Sequence, residues 1–221
     1  MQQYLAEFKR FLYRELIPVT KGTIILNIAV FLVTLFTPIV GVQAEGWLWL
    51  NPLNVLGYPW TILTYALVND LLSVIFGALW LWLVGAGLER MWGSTRYGWF
   101  LVMVTGVTGL AMAIIGFWLK VAVPVFGIWL PLVGVTWAWA RLDPHRELLF
   151  WGIVPVKARW LAWIHTVLVF ATYARIHILF GIAGIIGIFL ANLNWGKGRR
   201  STRGVGDNSK RLRRSRLRVI K

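Results

Sequence analysis

Apolar runs of membrane-spanning length recur along this chain and constrain its fold more than any other feature. A transmembrane helix needs about 20 consecutive, mostly apolar residues. The fifth of the runs starts with Lys157 and Arg159, whose long side chains can carry their charges to the interface, and the second also fits a start near Ile62. The sequence therefore predicts an all-α integral membrane protein with six transmembrane helices, at Thr23–Val42, Leu71–Leu88, Tyr97–Trp118, Val123–Ala140, Val156–Ala174 and His177–Leu193.

Composition supports a membrane protein and removes several kinds of chemistry. Hydrophobic residues make up 58% of the chain and charged residues 14%, against roughly 45–50% and 25% in soluble domains. The chain has no cysteine, which excludes disulfides, thiolate catalysis and cysteine-ligated metal sites. Its first 22 residues are too charged for the apolar part of a signal peptide. We therefore expect the first apolar run to be an uncleaved span.

The positions of the basic residues predict the orientation of the spans. If the N-terminus lies inside, every Lys and Arg except Lys120 and Arg175 falls in an inner segment, as the positive-inside rule requires. We therefore expect both termini in the cytoplasm, and in the cell membrane if the source is bacterial. The sequence divides into a cytosolic amphipathic segment at 1–22, a membrane domain at 23–194 and a polybasic cytosolic tail at 195–221.

The tail combines dense positive charge with a lack of apolar periodicity. Between Trp195 and Lys221 it holds eleven Lys or Arg residues and one acidic residue. This composition predicts disorder. The tail either only fixes the topology or binds anionic lipid; non-specific binding of nucleic acid is a weaker alternative because no aromatic residue follows Trp195. The densest cluster, and the best candidate for lipid contact, is Arg211, Arg213, Arg214, Arg216 and Arg218.

Few polar side chains fall within the predicted spans, and none forms a metal-ligand pattern. We expect Asn69 and Asp70 to lie at the outer surface and to cap a helix. His165 has no second histidine or carboxylate three or four residues away, so we interpret it as a satisfied core residue. The absence of a ladder of acidic residues and histidines disfavours transport. We expect no metal and no cofactor.

Three segments taken together resemble the rhomboid family, which includes intramembrane serine proteases and inactive relatives such as derlins. FGALWLWLVGAGLERMWGS at Phe76–Ser94 is similar to the second span and the Leu-Glu-Arg and Trp-Gly-Ser motifs that follow. ELLFWGIVPVKARWLAWI at Glu147–Ile164 is similar to the entry into the fifth span. PWTILTYALVND at Pro59–Asp70 is similar to the stretch after the long first loop, although the usual arginine is absent. The resemblance implies a rhomboid-like bundle over most of residues 23–193.

The same resemblance implies that the catalytic residues are missing. Phe126 stands where the family has its nucleophilic serine, and no serine occurs between Thr95 and Arg200. Ser73 and Gly77 stand where the family has the histidine and asparagine that help to form the oxyanion site. His177 matches the family's general base, but a phenyl ring has no proton for an imidazole to take. We also expect the bulky Phe126 to fill the cavity that hydrolysis needs.

The resulting hypothesis is a catalytically inactive rhomboid-like pseudoprotease. By resemblance to derlins, it would bind transmembrane segments of other proteins or perturb the surrounding bilayer. Two alternatives remain open. One is an active intramembrane serine protease, against which the missing serine argues, and the other is a structural subunit of a larger membrane complex.

Overall fold

Helices dominate the parts of the chain that the computed structural model describes, which are residues 17–37, 45–142, 147–150 and 154–195. Three short elements follow the first long helix: a helix at Glu45–Leu48, a helix at Thr61–Thr64 and a 3-10 turn at Tyr65–Leu67. The second long helix is continuous through a π-helical segment at Leu81–Gly85 that joins α4 to α5. The helices are α1 Pro18–Phe36, α2 Glu45–Leu48, α3 Thr61–Thr64, α4 Leu71–Trp80, α5 Ala86–Trp92, α6 Ser94–Trp118, α7 Trp129–Leu142, α8 Ala158–Ala174 and α9 Ile178–Trp195.

Three of these helices are long and apolar enough to cross a membrane by themselves. They are Pro18–Phe36, Leu71–Trp92 and Ser94–Trp118, and a shorter apolar helix covers Ile178–Leu190. The predicted all-α integral membrane fold is confirmed. The presence of six spans and their orientation in the membrane remain predictions. The predicted tail, with its five arginines, and most of the predicted N-terminal segment lie outside the described residues.

The first span starts at Pro18 rather than at the predicted Thr23 because its N-terminus is capped from another helix. Proline is favoured in a first helical turn, where its missing N–H is not needed. The carboxylate of Glu89 in α5 accepts hydrogen bonds from the backbone N–H groups of Val19 at 2.9 Å and Thr20 at 2.8 Å. Glu89 is buried, so its charge lies against the positive end of the helix dipole. The Leu-Glu-Arg motif thus fastens α1 to α5.

The fourth predicted span, Val123–Ala140, is wrong at its beginning, because the helix starts only at Trp129. The preceding residues are not helical: Val125 exchanges two backbone hydrogen bonds with Leu50, at 2.9 and 2.8 Å. Leu50 lies in the described stretch 45–60 before α3, which we call the outer loop after its position in the predicted topology. Gly127 has φ +101°, a conformation that side-chain-bearing residues rarely adopt. Pro124 and Gly127 therefore serve a non-helical segment that leads into a short helix.

A two-stranded hairpin lies between α7 and α8. Strand β1, Glu147–Phe150, pairs antiparallel with β2, Val154–Lys157. The register places Glu147 opposite Lys157 and Phe150 opposite Val154. This hairpin is the one departure from all-α structure within the described ranges, apart from the isolated pairing of Leu50 with Val125.

Three buried clusters hold the bundle together, and the smallest consists of Leu81, Ile128 and Leu132. Of the other two clusters, the first joins the outer loop to α6, α7 and α9 through Leu50, Tyr65, Met112, Leu130 and Phe180. The second joins the π-helical segment and α5 to α6, α7 and α8; it contains Val84, Leu88, Tyr97, Phe100, Val104, Trp139 and Ala158. At the end of the bundle that holds this second cluster, the described chain carries the exposed or half-buried Arg90, Arg96, Arg141, Lys157 and Arg159, and we call it the basic end.

Candidate functional site

A cavity of about 500 Å³ lies between the non-helical segment before α7 and helix α8. Its lining is mainly apolar, with His165, Thr172 and Tyr173 as the polar contributors. Leu168 and Thr172, one helical turn apart on α8, are exposed, so the cavity opens at the surface of the bundle. The lining residues are Val123, Pro124, Phe126, Trp129, His165, Leu168, Val169, Thr172, Tyr173 and Ile176.

Phe126 lies at the mouth of this cavity and does not fill it. The side chain is 48% exposed, and its ring centroid is 6.2 Å from that of Trp49 in the outer loop. The Tyr173 hydroxyl donates to the Phe126 carbonyl oxygen at 3.4 Å, which ties the segment to α8. The expectation that a phenylalanine here would fill the cavity is therefore wrong, because the backbone directs the ring towards the outer loop.

Asn69 fixes the position of the segment that precedes α7. The prediction that Asn69 lies at the outer surface is wrong. Its side chain is buried. The amide Nδ2 donates to Asn27 Oδ1 at 2.8 Å and to the Ala66 carbonyl oxygen at 3.1 Å, while Oδ1 accepts from the Ile128 backbone N–H at 2.9 Å. One carboxamide thus connects α1, the end of the 3-10 turn and the segment before α7. Asp70 does cap α4, as predicted, through a bond from the Ser73 N–H.

Ser73 and Gly77 lie next to the residues that follow Phe126. The Ser73 hydroxyl oxygen accepts a hydrogen bond from Trp129 Nε1 at 2.8 Å. A Cβ atom on Gly77 would lie 2.8 Å from Ile128 Cγ2, so a side chain there would displace Ile128. The structure therefore brings the positions of Ser73, Gly77 and Phe126 to one region. It offers no side-chain donor from Gly77, and the Ser73 oxygen is engaged by an indole.

His177 does not join this group. It is exposed, and its Nδ1 accepts a hydrogen bond from the Leu179 backbone N–H at 3.2 Å, so it caps the start of α9. It is not among the residues that line the cavity. Phe180, at the place of a family glycine, is fully buried against Tyr173, with ring centroids 6.0 Å apart. The position that the resemblance assigns to the general base has a structural role here.

His165 is the histidine that lines the cavity, and it is only partly satisfied. The ring is 8% exposed and meets the rings of Trp80 and Trp129 edge-on, with centroids 5.7 and 5.8 Å away. Its Nδ1 lies 3.4 Å from Thr136 Oγ1. Its Nε2 has no hydrogen-bond partner within the described residues. The interpretation of His165 as a satisfied core residue is right about its burial and wrong about Nε2.

A catalytic dyad needs a hydroxyl close to an imidazole nitrogen. Among the hydrogen bonds of the described residues, only Thr136 and His165 form such a pair. The Thr136 hydroxyl donates to the Leu132 carbonyl oxygen at 2.7 Å and accepts from Trp80 Nε1 at 2.9 Å. A hydroxyl has one proton, and the shorter bond engages it. Thr136 is also fully buried. It is therefore not an activated nucleophile.

No metal centre forms in the described part of the chain, where His, Asp and Glu nowhere gather in groups of three or more. Comparison with known proteins gives one family. The model of the family described as "Eukaryotic integral membrane protein (DUF1751)" matches residues 24–191, which run from α1 to α9. No curated protein matches the chain.

Proposed function

The chain belongs to the DUF1751 family of eukaryotic integral membrane proteins, and from that premise we propose that it is a rhomboid-like pseudoprotease that binds single transmembrane segments of other proteins without cleaving them. The observation that supports this most is the cavity at the surface of the bundle with Phe126 at its mouth. The family is eukaryotic, which leaves the expectation of a bacterial cell membrane without support.

The cavity suits a helix that arrives from the bilayer. Its lining is mostly apolar, and the lining residues of α8 run from near the midpoint of that helix towards its C-terminus, where Leu168 and Thr172 are exposed. Association of helices in lipid depends on packing and on interhelical hydrogen bonds, because lipid is as apolar as leucine. A cavity in the surface of the bundle, with a polar ring in its lining, offers both.

The lack of catalysis follows from the same geometry. Phe126 has no nucleophilic atom, Gly77 has no side-chain donor, and Trp129 engages Ser73. His177 caps α9. A bound segment would therefore meet a packing surface without the nucleophile, base and oxyanion donors that peptide hydrolysis requires.

We also propose that the protein perturbs the bilayer around it, and helix α8 supports this. Arg159 and Arg175, both exposed, bracket its apolar length, which is about 24 Å at the helical rise per residue. The hydrocarbon core is about 30 Å thick, so lipid next to α8 would thin or the arginines would snorkel. Helix α7 is shorter, with 14 residues, but it is almost wholly buried. It therefore has little contact with lipid, and its length does not affect the bilayer.

We infer a six-span topology with both termini in the cytoplasm. The basic end contains the start of α1, the turn between α5 and α6, and the junction of α7 with the hairpin and α8. Lys120 and Arg175 lie at the opposite end. Helices α7 and α8 are short for spans, but they pack within a bundle whose longer helices cover the membrane thickness.

Photo-crosslinking tests the binding proposal. A photoreactive phenylalanine derivative is placed at Leu168, beside the cavity, or at Leu32, an exposed position on α1, and the protein is reconstituted with a labelled single-span Leu/Ala peptide of about 20 residues. We expect crosslinking to the intact peptide at Leu168 well above that at Leu32. Equal crosslinking at both positions would contradict a binding site, and cleavage of the peptide would contradict the pseudoprotease assignment.

A further inference from the structure

We propose that His165 makes this cavity selective for transmembrane segments that carry a carboxamide side chain, Asn or Gln, at mid-membrane depth. This inference rests on the proposed function and adds a chemical requirement to it. The atom that sets the requirement is Nε2 of this cavity-lining histidine, which is buried and has no hydrogen-bond partner among the described residues.

Hydrogen-bond accounting at Thr136 fixes the tautomer of His165. The single hydroxyl proton of Thr136 goes to the Leu132 carbonyl oxygen at 2.7 Å, and one lone pair accepts from Trp80 Nε1 at 2.9 Å. The remaining lone pair faces His165 Nδ1 at 3.4 Å, so Nδ1 carries the proton and donates. In a neutral imidazole the other nitrogen is then an acceptor. Nε2 therefore needs a donor.

His165 is among the residues that line the cavity, and its other close neighbours do not supply a donor to Nε2. Thr136 occupies the Nδ1 side, and Trp80 and Trp129 meet the ring edge-on. Trp129 cannot supply the donor, because its Nε1–H is bonded to Ser73. The Tyr173 hydroxyl, also on the cavity wall, donates to the Phe126 carbonyl oxygen. The N–H of Trp129 and the hydroxyl of Tyr173 are therefore both bonded to acceptors other than His165 Nε2.

The depth of His165 favours a side chain over a lipid as the source of the donor. His165 is one residue from the midpoint of α8, Ala158–Ala174, where the bilayer contains only hydrocarbon. A Ser or Thr hydroxyl on a helix is commonly engaged by its own carbonyl four residues earlier, as Thr136 and Thr166 are here. A carboxamide carries two N–H donors and keeps one for a partner helix.

The test compares two single-span Leu/Ala peptides that differ only in a central Asn or Leu, whose side chains have the same number of heavy atoms and the same branching. Each is titrated against the full chain in lipid nanodiscs at low peptide density, with crosslinking from Leu168 as the readout. We expect the Asn peptide to bind about 3- to 15-fold more tightly, the range that interhelical hydrogen bonds give in membranes. A His165→Phe variant keeps an aromatic ring between Trp80 and Trp129 and should bind both peptides equally.

A second measurement does not depend on the variant folding. Moving the Asn one helical turn towards either end of the peptide, about 6 Å, should abolish its advantage on the unaltered chain. Equal binding of the Asn and Leu peptides by the unaltered chain would overturn this inference and leave the proposed function standing. An advantage that persists in His165→Phe, or at the shifted positions, would also overturn it. Binding of neither peptide would overturn the proposed function as well.

Discussion

Trp129 and Ser73 are joined by a hydrogen bond of 2.8 Å from the indole Nε1–H to the hydroxyl oxygen. The bond ties the first residue of α7 to α4 and holds the indole edge-on against His165. The serine hydroxyl nearest to Phe126 in the described site therefore positions a tryptophan. This pairing supports a packing role for the region around Phe126, and it shapes the first prediction.

Restoring a serine at position 126 should not restore catalysis. Phe126→Ser supplies a hydroxyl, but Gly77 still has no donor and the His177 imidazole still caps α9. Each missing oxyanion donor typically costs about 10²–10³ in rate. We expect neither the natural chain nor the variant to react with a serine-directed phosphonate or to cleave single-span substrates. Labelling of the natural chain that a single substitution abolishes would refute the assignment as a pseudoprotease.

Asn69→Ala should destabilise the protein more than a change at its neighbour. The substitution leaves the Ile128 N–H without the Asn69 oxygen and Asn27 without the Asn69 amide. Each buried group left unsatisfied costs about 1–3 kcal/mol. The matched control is Asp70→Asn, which keeps an oxygen for the Ser73 N–H and should be nearly neutral. Thermal unfolding in mild detergent measures both, and equal melting temperatures would contradict the role assigned to Asn69.

Two glycine-to-alanine substitutions in helices should change stability in opposite directions. At Gly77 a new Cβ meets Ile128 Cγ2 at 2.8 Å, and a β-branched side chain has little freedom to yield. We expect a cost of about 1–3 kcal/mol. At Gly22, in α1, nothing lies within 4 Å of the new Cβ, so alanine should stabilise the helix by up to about 1 kcal/mol. Unfolding in a graded detergent series compares them. Destabilisation by both would show that the contact with Ile128 is not the cause.

Hydrophobic run length predicted the helices better than it predicted their ends. Apolar character decides which residues can enter lipid, and each of the six predicted runs overlaps a helix of at least 14 residues. The ends depend on partners far away in sequence. Glu89 caps α1 from about 70 residues further along the chain, and Leu50 pairs with Val125 where the apolar run suggested helix.

For the candidate site, the sequence predicted only those features that follow from the identity of a single residue. The sequence shows that Phe126 has no hydroxyl and that Gly77 has no side chain. It does not show that Asn69 is buried beneath the segment before α7, or that His165 rather than His177 lines the cavity. Those facts depend on the rotation of α8 and on the non-helical backbone at Val125–Ile128, which no local pattern specifies.

The topology can be tested by thiol labelling, because the chain has no cysteine of its own. Single cysteines are introduced at Lys120, beyond the end of α6, and at Met91, near the basic end; both positions are exposed. In sealed, correctly oriented vesicles a membrane-impermeant maleimide should reach the two cysteines from opposite sides. A reporter fused after Arg203 should report the same side as Met91. Labelling of both cysteines from one side would rule out the six-span arrangement.

The basic tail should bind anionic membranes through charge alone. A peptide covering 196–221 carries Arg211, Arg213, Arg214, Arg216 and Arg218 but no aromatic residue, so it has little to insert into lipid. Each Lys or Arg near an anionic surface contributes up to about 1 kcal/mol, and salt screens that attraction within about 8 Å at physiological ionic strength. We expect strong binding to phosphatidylserine vesicles at low salt and weak binding at high salt. The matched control replaces the five arginines by Gln and should bind the phosphatidylserine vesicles more weakly at low salt, because six Lys or Arg residues remain. Binding to neutral vesicles, or binding that salt does not weaken, would contradict an electrostatic origin; a tail that fails to bind anionic vesicles at low salt would leave it with the role of fixing topology alone.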